Sequence, residues 1–185
     1  MDIDNVPDNA SQYVKDAAGA EFLSEISHGI AYDRRDNSVF PTEGYILRMN
    51  NDLAGIGGSK RYLRNTFKAG KYFPLYDQWV LSFRGSVGHI VGLGEDVSLH
   101  DRFFVGGDDL RGFATSGVGP RDQSTTDALG GEWMYKGGAE ITFPLGFPDE
   151  LAISGKLFTD MGSTGSLSPS GSDVNDTGSL RASVG

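Results

Sequence analysis

The chain has 185 residues, with 16 Lys+Arg against 25 Asp+Glu and a formal charge of −9, a length that suits one domain or part of a larger one. Nucleic acid is excluded as a partner, because phosphate binding needs clustered cations and here Lys and Arg are scattered one or two at a time. The absence of cysteine excludes a disulfide framework and thiolate metal or redox chemistry, and no apolar run approaches the eighteen or so residues of a membrane helix.

A membrane-crossing strand is not excluded by these counts, and 27 glycines with 11% aromatics favour strands and tight turns over a helix bundle. Met1 is followed by Asp2-Ile3-Asp4-Asn5, which is too acidic and polar for a secretory signal. Asp8 or Asn9 ahead of residues 10–18 and Gly19 predicts a capped helical turn. Beyond it the period is two. Phe22, Ile26, Ile30 and Tyr32 alternate with Glu25, Ser27, Gly29 and Asp33, and Tyr45, Leu47, Met49 and Leu53 with Arg48, Asn50 and Asp52. Residues 62–73 read as a strand by aromatic content, with an alternation blurred by Lys68 and Lys71. Trp79, Leu81, Phe83 and Val87 then oppose Ser82, Arg84 and Ser86. In the cleanest segment Trp133, Tyr135, Ala139, Ile141 and Phe143 oppose Lys136, Gly138, Glu140 and Thr142. Ile153, Leu157 and Met161 against Ser154, Lys156 and Asp160, and Leu180, Ala182 and Val184 against Arg181 and Ser183, complete seven strands.

Proline-bearing connectors at 36–44, 74–77 and 144–150 alternate along the chain with glycine-rich ones at 55–60, 92–132 and 162–178. Short turns at one end and longer loops at the other is the habit of outer-membrane barrels, although 55–60 is short for a loop. A soluble sandwich or barrel has the same period. Polar faces of mixed sign, with Arg48, Asp52, Arg84, Lys136, Glu140, Lys156 and Asp160, suit a wet lumen, and aromatics near strand ends suit an interfacial girdle. The fold expected is all-β, an antiparallel transmembrane β-barrel fragment of about seven strands with a long inward-folded loop.

Little points to covalent chemistry. His28, His89 and His100 have no metal-ligand spacing. Asp176-Thr177-Gly178-Ser179 imitates an aspartic-protease signature, but no second copy exists to supply the paired carboxylate. Gly57-Gly58-Ser59-Lys60 lacks the spacing of a phosphate-binding loop. Asp108-Asp109 and the acids at 173–176 fit no calcium-loop spacing and read as solvated faces. No metal, no cofactor and no enzymatic activity is expected. The 92–132 connector differs in kind, since residues 101–122 combine Phe103, Phe104 and Phe113 with closely spaced glycines. Long aromatic loops pack onto something, so these rings should be buried and Arg111 should seek a carboxylate, with Glu140 and Asp160 available on the lumen face.

Residues 103–113, with Gly106, Gly107, Leu110 and the triplet Arg111-Gly112-Phe113, followed by Gly117-Val118-Gly119-Pro120-Arg121, resemble the sixth-loop motif of the outer-membrane barrel-assembly family, BamA and its relatives. Tyr32-Asp33-Arg34-Arg35-Asp36-Asn37 and Phe40-Pro41-Thr42-Glu43-Gly44 resemble the strand and turn upstream of it. Ala139-Glu140-Ile141-Thr142-Phe143-Pro144 and Phe158-Thr159-Asp160-Met161-Gly162 resemble the two strands downstream. The resemblance implies that the seven strands are the eighth to fourteenth of a sixteen-stranded barrel and that the loop folds into the lumen. It makes Arg111 the loop-tip arginine and Glu140 and Asp160 its acidic contacts, while Leu110 stands where the family places valine or a similar residue. By the same resemblance residues 1–185 are part of a C-terminal barrel domain, with periplasmic POTRA modules, seven earlier strands and two later ones outside this chain. Function would be folding and insertion of β-barrel proteins into the outer membrane of a Gram-negative bacterium. The partners implied are nascent barrel proteins, membrane lipid and accessory lipoproteins. A secretion or autotransporter-assembly relative, a passive porin or receptor barrel, and a soluble β-domain are the alternatives.

Overall fold

The structure is a computed structural model, and it describes residues 2–3, 15, 19–20, 22–147, 151, 153–167, 174–175 and 178–185. Apart from Lys15, the helical turn expected around residues 8–18 lies outside the described residues, as do the acids Asp173 and Asp176. Seven strands form one antiparallel sheet: β1 (Glu25–Asp33), β2 (Gly44–Ala54), β3 (Tyr62–Tyr76), β4 (Trp79–Gly92), β5 (Trp133–Pro144), β6 (Ser154–Gly165) and β7 (Arg181–Val184). Each pairs with its neighbour in chain order, so the sheet is a plain meander with β1 and β7 at its edges.

The period-two pattern becomes two faces because consecutive side chains leave a strand on opposite sides. On one face Ile30, Met49, Phe67, Val87 and Tyr135 are successive partners across five strands, and all are exposed. Arg48, Lys68, Ser86 and Lys136 form a row on the other face. A large, continuous, exposed apolar sheet face beside a charged one is the arrangement of a membrane barrel wall, apolar outside and polar within. Here the soluble alternative fails: the large outward side chains, including Phe83 and both ends of the strands, lie open and are not sealed into a centre. Lys71, which blurred the pattern of β3, stands on the outward face with Nζ 5.4 Å from the Tyr45 ring centre and 5.0 Å from that of Phe73. Its charge is carried along aromatic surface near the strand end.

Two connector readings change. Pro74 belongs to β3, paired with Val80 beside a register irregularity, and the reversal is only Asp77 and Gln78. Proline is tolerated there because β2 begins only at Gly44, opposite Tyr72, so Pro74 faces no strand on that side to which it owes an N–H. β6 runs four residues past Met161, to Gly165. The first turn is tied by Asp36, whose carboxylate accepts from the Thr42 and Glu43 amides at 2.9 and 3.0 Å and from the Thr42 hydroxyl at 2.7 Å.

Two predictions follow from this wall. Phe83 sits near the middle of the outward face, and Phe83→Arg in the full-length protein should destabilise the folded barrel by about 2 to 4 kcal/mol in urea titrations from vesicles, with a much smaller change for Ser82→Arg on the inner face. The hydrogen bonds hold the Asp36 carboxyl well below the usual carboxylate range. A depressed folded pKa stabilises above the unfolded value and loses that contribution only as pH falls through the folded one. Exchange protection of the Thr42 and Glu43 amides should therefore persist at about pH 4, where a free aspartate is half protonated, and should be lost at every pH in Asp36→Ala.

Candidate functional site

Between β4 and β5 the chain makes a long excursion over the inner face. Its base is a small two-limbed structure: Phe103 bridges Gly131, Val105 bridges Val118 and Arg121 bridges Ala128. The buried Arg102 guanidinium spans the limbs, donating to the Val97 carbonyl at 2.9 and 3.1 Å and to that of Leu129 at 3.3 Å. Above the Val105–Val118 bridge the segment closes on itself, with the Gly107 amide donating to the Phe113 and Ala114 carbonyls. Gly106 turns there with φ +139°, and a Cβ on it would stand 2.2 Å from the Ala114 carbonyl oxygen, so only glycine fits. Leu110 is fully buried with Val105, Val118 and Met134, against Phe103 and Phe113. The three loop phenylalanines are half-buried, less enclosed than their size suggests, because the water-facing side of the loop has nothing further to cover it among the described residues.

Anchoring Leu110 aims its neighbour Arg111 at the wall. Arg111 Nε and Nη2 donate to the two oxygens of Asp160 at 2.7 and 3.0 Å, and Nη1 donates to Glu140 at 2.5 Å. The side chains of Asp160 and Glu140 are 2% and 9% exposed, and that of Arg111 25%. The register explains the fit. Gly138 opposes Asp160 and Glu140 opposes Phe158, so these four positions form one diamond on the lumen face, with the carboxylates diagonal to each other. The Asp160 carboxylate fills the corner that Gly138 leaves empty, and the guanidinium lies 3.6 Å from the centre of the Phe158 ring. A Cβ at Gly138 would come within 2.2 Å of Asp160 Oδ1.

Further charges surround this core. Arg84 donates to Asp160 Oδ1 at 3.0 Å and Lys156 to Glu140 Oε1 at 2.9 Å, giving three cations against two carboxylates. Arg84 and Lys156 are half exposed, and the space beside them is a cavity of about 450 Å³ that reaches Val39 and Phe40 of the first turn. The cluster is thus dry on the loop side and wet on the turn side. Two residues before Arg111, Asp109 pairs with Lys136 at 2.5 Å, so the loop tip meets β5 twice with opposite charges. This acid is not merely solvated, as its sequence context suggested. His28 and His89 stand on the outward face and His100 on the loop, remote from the cluster. Among the described residues no three potential ligands gather where they could hold a metal.

Of the expected site residues, the structure brings Arg111, Glu140 and Asp160 together, with Leu110 as the buried neighbour and Gly106, Gly107, Gly112 and Phe113 shaping the tip. Sequence reasoning missed Phe158, Gly138, Arg84, Lys156 and Asp109. The signal for Phe158 was its parity, since it shares the lumen face with Lys156 and Asp160, where a large ring is out of place unless something covers it.

These features define an antiparallel outer-membrane barrel wall with an arginine-latched internal loop. The Omp85 superfamily domain matches residues 2–185, and the chain belongs to that superfamily. It is 38% identical over 183 residues to the outer membrane protein assembly factor BamA of Neorickettsia risticii (strain Illinois), covering 98% of this chain and 24% of that protein. It is 36% identical over 152 residues to the sorting and assembly machinery component 50 homolog of Bos taurus, covering 80% of this chain and 32% of that protein. The crystal structure of BamA from Haemophilus ducreyi lacking POTRA domains 1–3 shares the fold with a TM-score of 0.75 and 22% identity, over 86% of this chain and 35% of that one. The chain therefore spans about a quarter to a third of the relatives it matches.

Because Asp160 leaves no room at its partner position, Gly138→Val should push the carboxylate off the guanidinium. Overpacking of this kind destabilises by about 1 to 3 kcal/mol, and the loop should become cleavable by added protease while the strands stay protected. Gly137→Val, whose side chain would point outward, should leave the loop protected.

Proposed function

We propose that the full-length protein folds and inserts β-barrel proteins into the outer membrane of a Gram-negative bacterium, and that residues 1–185 supply the part of its C-terminal barrel that holds the internal loop of residues 92–132. The observation that carries this reading is the Arg111 guanidinium shared between Glu140 on β5 and Asp160 on β6, in a chain whose relatives are named assembly factors. The reaction is strand pairing, and nothing in it calls for nucleotide hydrolysis or a covalent intermediate. Nascent barrel proteins are the substrates in this reading, lipid and accessory lipoproteins the other partners, and POTRA modules precede the barrel in the complete protein. Animal relatives match as well, so the bacterial setting rests on the stronger match to the bacterial assembly factor.

The latch gives the wall a task that a passive pore would not need. An open sheet edge is intolerable in hydrocarbon, because its amides and carbonyls find no partner there. A machine that offers such an edge to a client must keep the rest of its wall in register. Arg111 bonds two adjacent strands at once and fixes their relative position from inside. Its planar fork suits both carboxylates, and a lysine could not reproduce the bidentate contact.

Removing one partner of a well-buried ion pair costs about 3 to 5 kcal/mol, less where water reaches it. In cells depleted of their own assembly factor, full-length protein carrying Arg111→Glu should leave at least tenfold less folded client barrel in the outer membrane than wild type. Adding Glu140→Arg and Asp160→Asn should restore part of it. Full activity of the Arg111→Glu protein would refute the latch.

A further inference from the structure

On the outward face one row breaks the apolar pattern. His28, Asn51, Asn65, His89 and Trp133 are successive partners on β1 to β5. The next outward row towards the turns is Ile30, Met49, Phe67 and Val87, and the next towards the loops is Ile26, Leu53, Leu63 and Val91. Polar side chains between two apolar rows of a membrane wall need partners. Asn51 Nδ2 donates to Asn65 Oδ1 at 2.5 Å. Among the described residues Asn65 Nδ2 and the rings of His28 and His89 have none.

The row lies at a definable depth. On β4, Trp79, stacked on Phe143 with ring centres 5.2 Å apart, marks the turn-side girdle, and His89 is ten residues further along the strand. At about 3.4 Å per residue and a tilt of about 40°, that is about 26 Å of depth, the height of a barrel's apolar band at about 25 Å. His89 therefore sits where hydrocarbon gives way to the ester and phosphate groups of the loop-side leaflet. The rows are not level. Gly44 starts β2, whereas Phe158 in the same row is four residues into β6, so with the turns at one height each row descends from β6 towards β1. One strand step is about 3 Å of depth, which takes Asn65, Asn51 and His28 progressively into the hydrocarbon.

A groove of about 310 Å³ adjoins Asn65 and His89, with Met49, Phe67 and Val87 among its walls. We propose that this groove is a phospholipid site: an acyl chain lies along Met49, Phe67 and Val87, and ester or phosphate oxygens accept hydrogen bonds from Asn65 and His89. The row offers N–H donors at and below the edge of the hydrocarbon, and the ester and phosphate region of a phospholipid offers acceptors directly above an apolar chain. His28 and Asn51 continue the row downward and would draw further headgroup oxygens inward, thinning the leaflet beside β1 and β2. This inference rests on the membrane-wall reading and adds a ligand to it.

Full-length protein folded into vesicles of phosphatidylethanolamine and phosphatidylglycerol, then extracted in mild detergent, can be weighed by native mass spectrometry. Wild type should retain bound phospholipid. Asn65→Leu/His89→Leu, and separately Val87→Trp, which fills the groove while keeping the outward position apolar, should retain at least tenfold less; His100→Leu on the loop should retain as much as wild type. Folding is read by heat-dependent gel mobility, and if the double variant does not fold, Val87→Trp decides. Equal retention by wild type and the folded variants would overturn the site. So would wild type without lipid, or a photocrosslinker at position 89 that captures protein instead of lipid. A wild type that retains phospholipid yet inserts no client would support the site while striking the assembly reading.

Discussion

A guanidinium taken out of water has to be met on every side, because the desolvation of an ion costs several kcal/mol and is repaid only by close, well-aligned partners. Arg111 is met by two carboxylates in its plane and by the Phe158 ring against its face. The remaining structure of the lumen can be derived from that requirement. Gly138 leaves the room that the Asp160 carboxylate fills, Leu110 is the buried pivot that keeps the tip from rotating away, and Arg84 and Lys156 hold the carboxylates from the wet side. With three cations on two carboxylates the cluster is left with an excess positive charge. The half-exposed Arg84 and Lys156 can share that excess with water, so Arg111 keeps the drier and better-aligned contacts.

The same economy of partners shapes the wall. In hydrocarbon the backbone is satisfied only by continuous pairing, and the meander provides it between each strand and the next. Side chains then divide by parity, which is why a sequence with an overall negative charge can present an apolar outer surface. Lys71 and the His28 to Trp133 row are departures from parity-by-polarity, and each has its own physical answer. Lys71 lies along Tyr45 and Phe73 near a strand end, where charge can reach the interface. For the polar row the answer is the one proposed above, lipid oxygens at the loop-side boundary.

Much of this was legible from residue order. Period two located six of the seven strands and aromatic content the other, β3, and the same parity put Glu140 and Asp160 on the face where Arg111 meets them. Strand ends were less legible. Pro74 reads as a turn residue until one knows that β2 reaches no further than Gly44, opposite Tyr72, a fact about a neighbouring strand that local sequence does not contain. Phe158 and Gly138 were invisible for a related reason. Each departs from what its own strand wants, a ring on a polar face and a glycine in a strand interior, and both make sense only with the latch in place: the ring lies against the guanidinium and the glycine makes room for the Asp160 carboxylate. Asp109 looked like a solvated acid because Lys136 is separated from it by more than twenty residues of loop.

Placing the latch on two strands instead of one has a mechanical consequence. Glu140 and Asp160 are diagonal across the β5–β6 pair, so sliding one strand past the other by a single register step would carry the sliding strand's carboxylate to the opposite face of the sheet and break one half of the contact. Arg111 therefore opposes slippage between β5 and β6, and an intact β5–β6 register is in turn required for the loop to stay docked. Asp109 on Lys136 adds a second point two residues away with the opposite sign, so the tip cannot turn about Arg111 without separating that pair. Loop position and wall geometry are coupled in both directions: a strain that reached β5 and β6 from elsewhere in the barrel would be felt at the loop, and a ligand that lifted the loop would soften the wall at the two strands it spans.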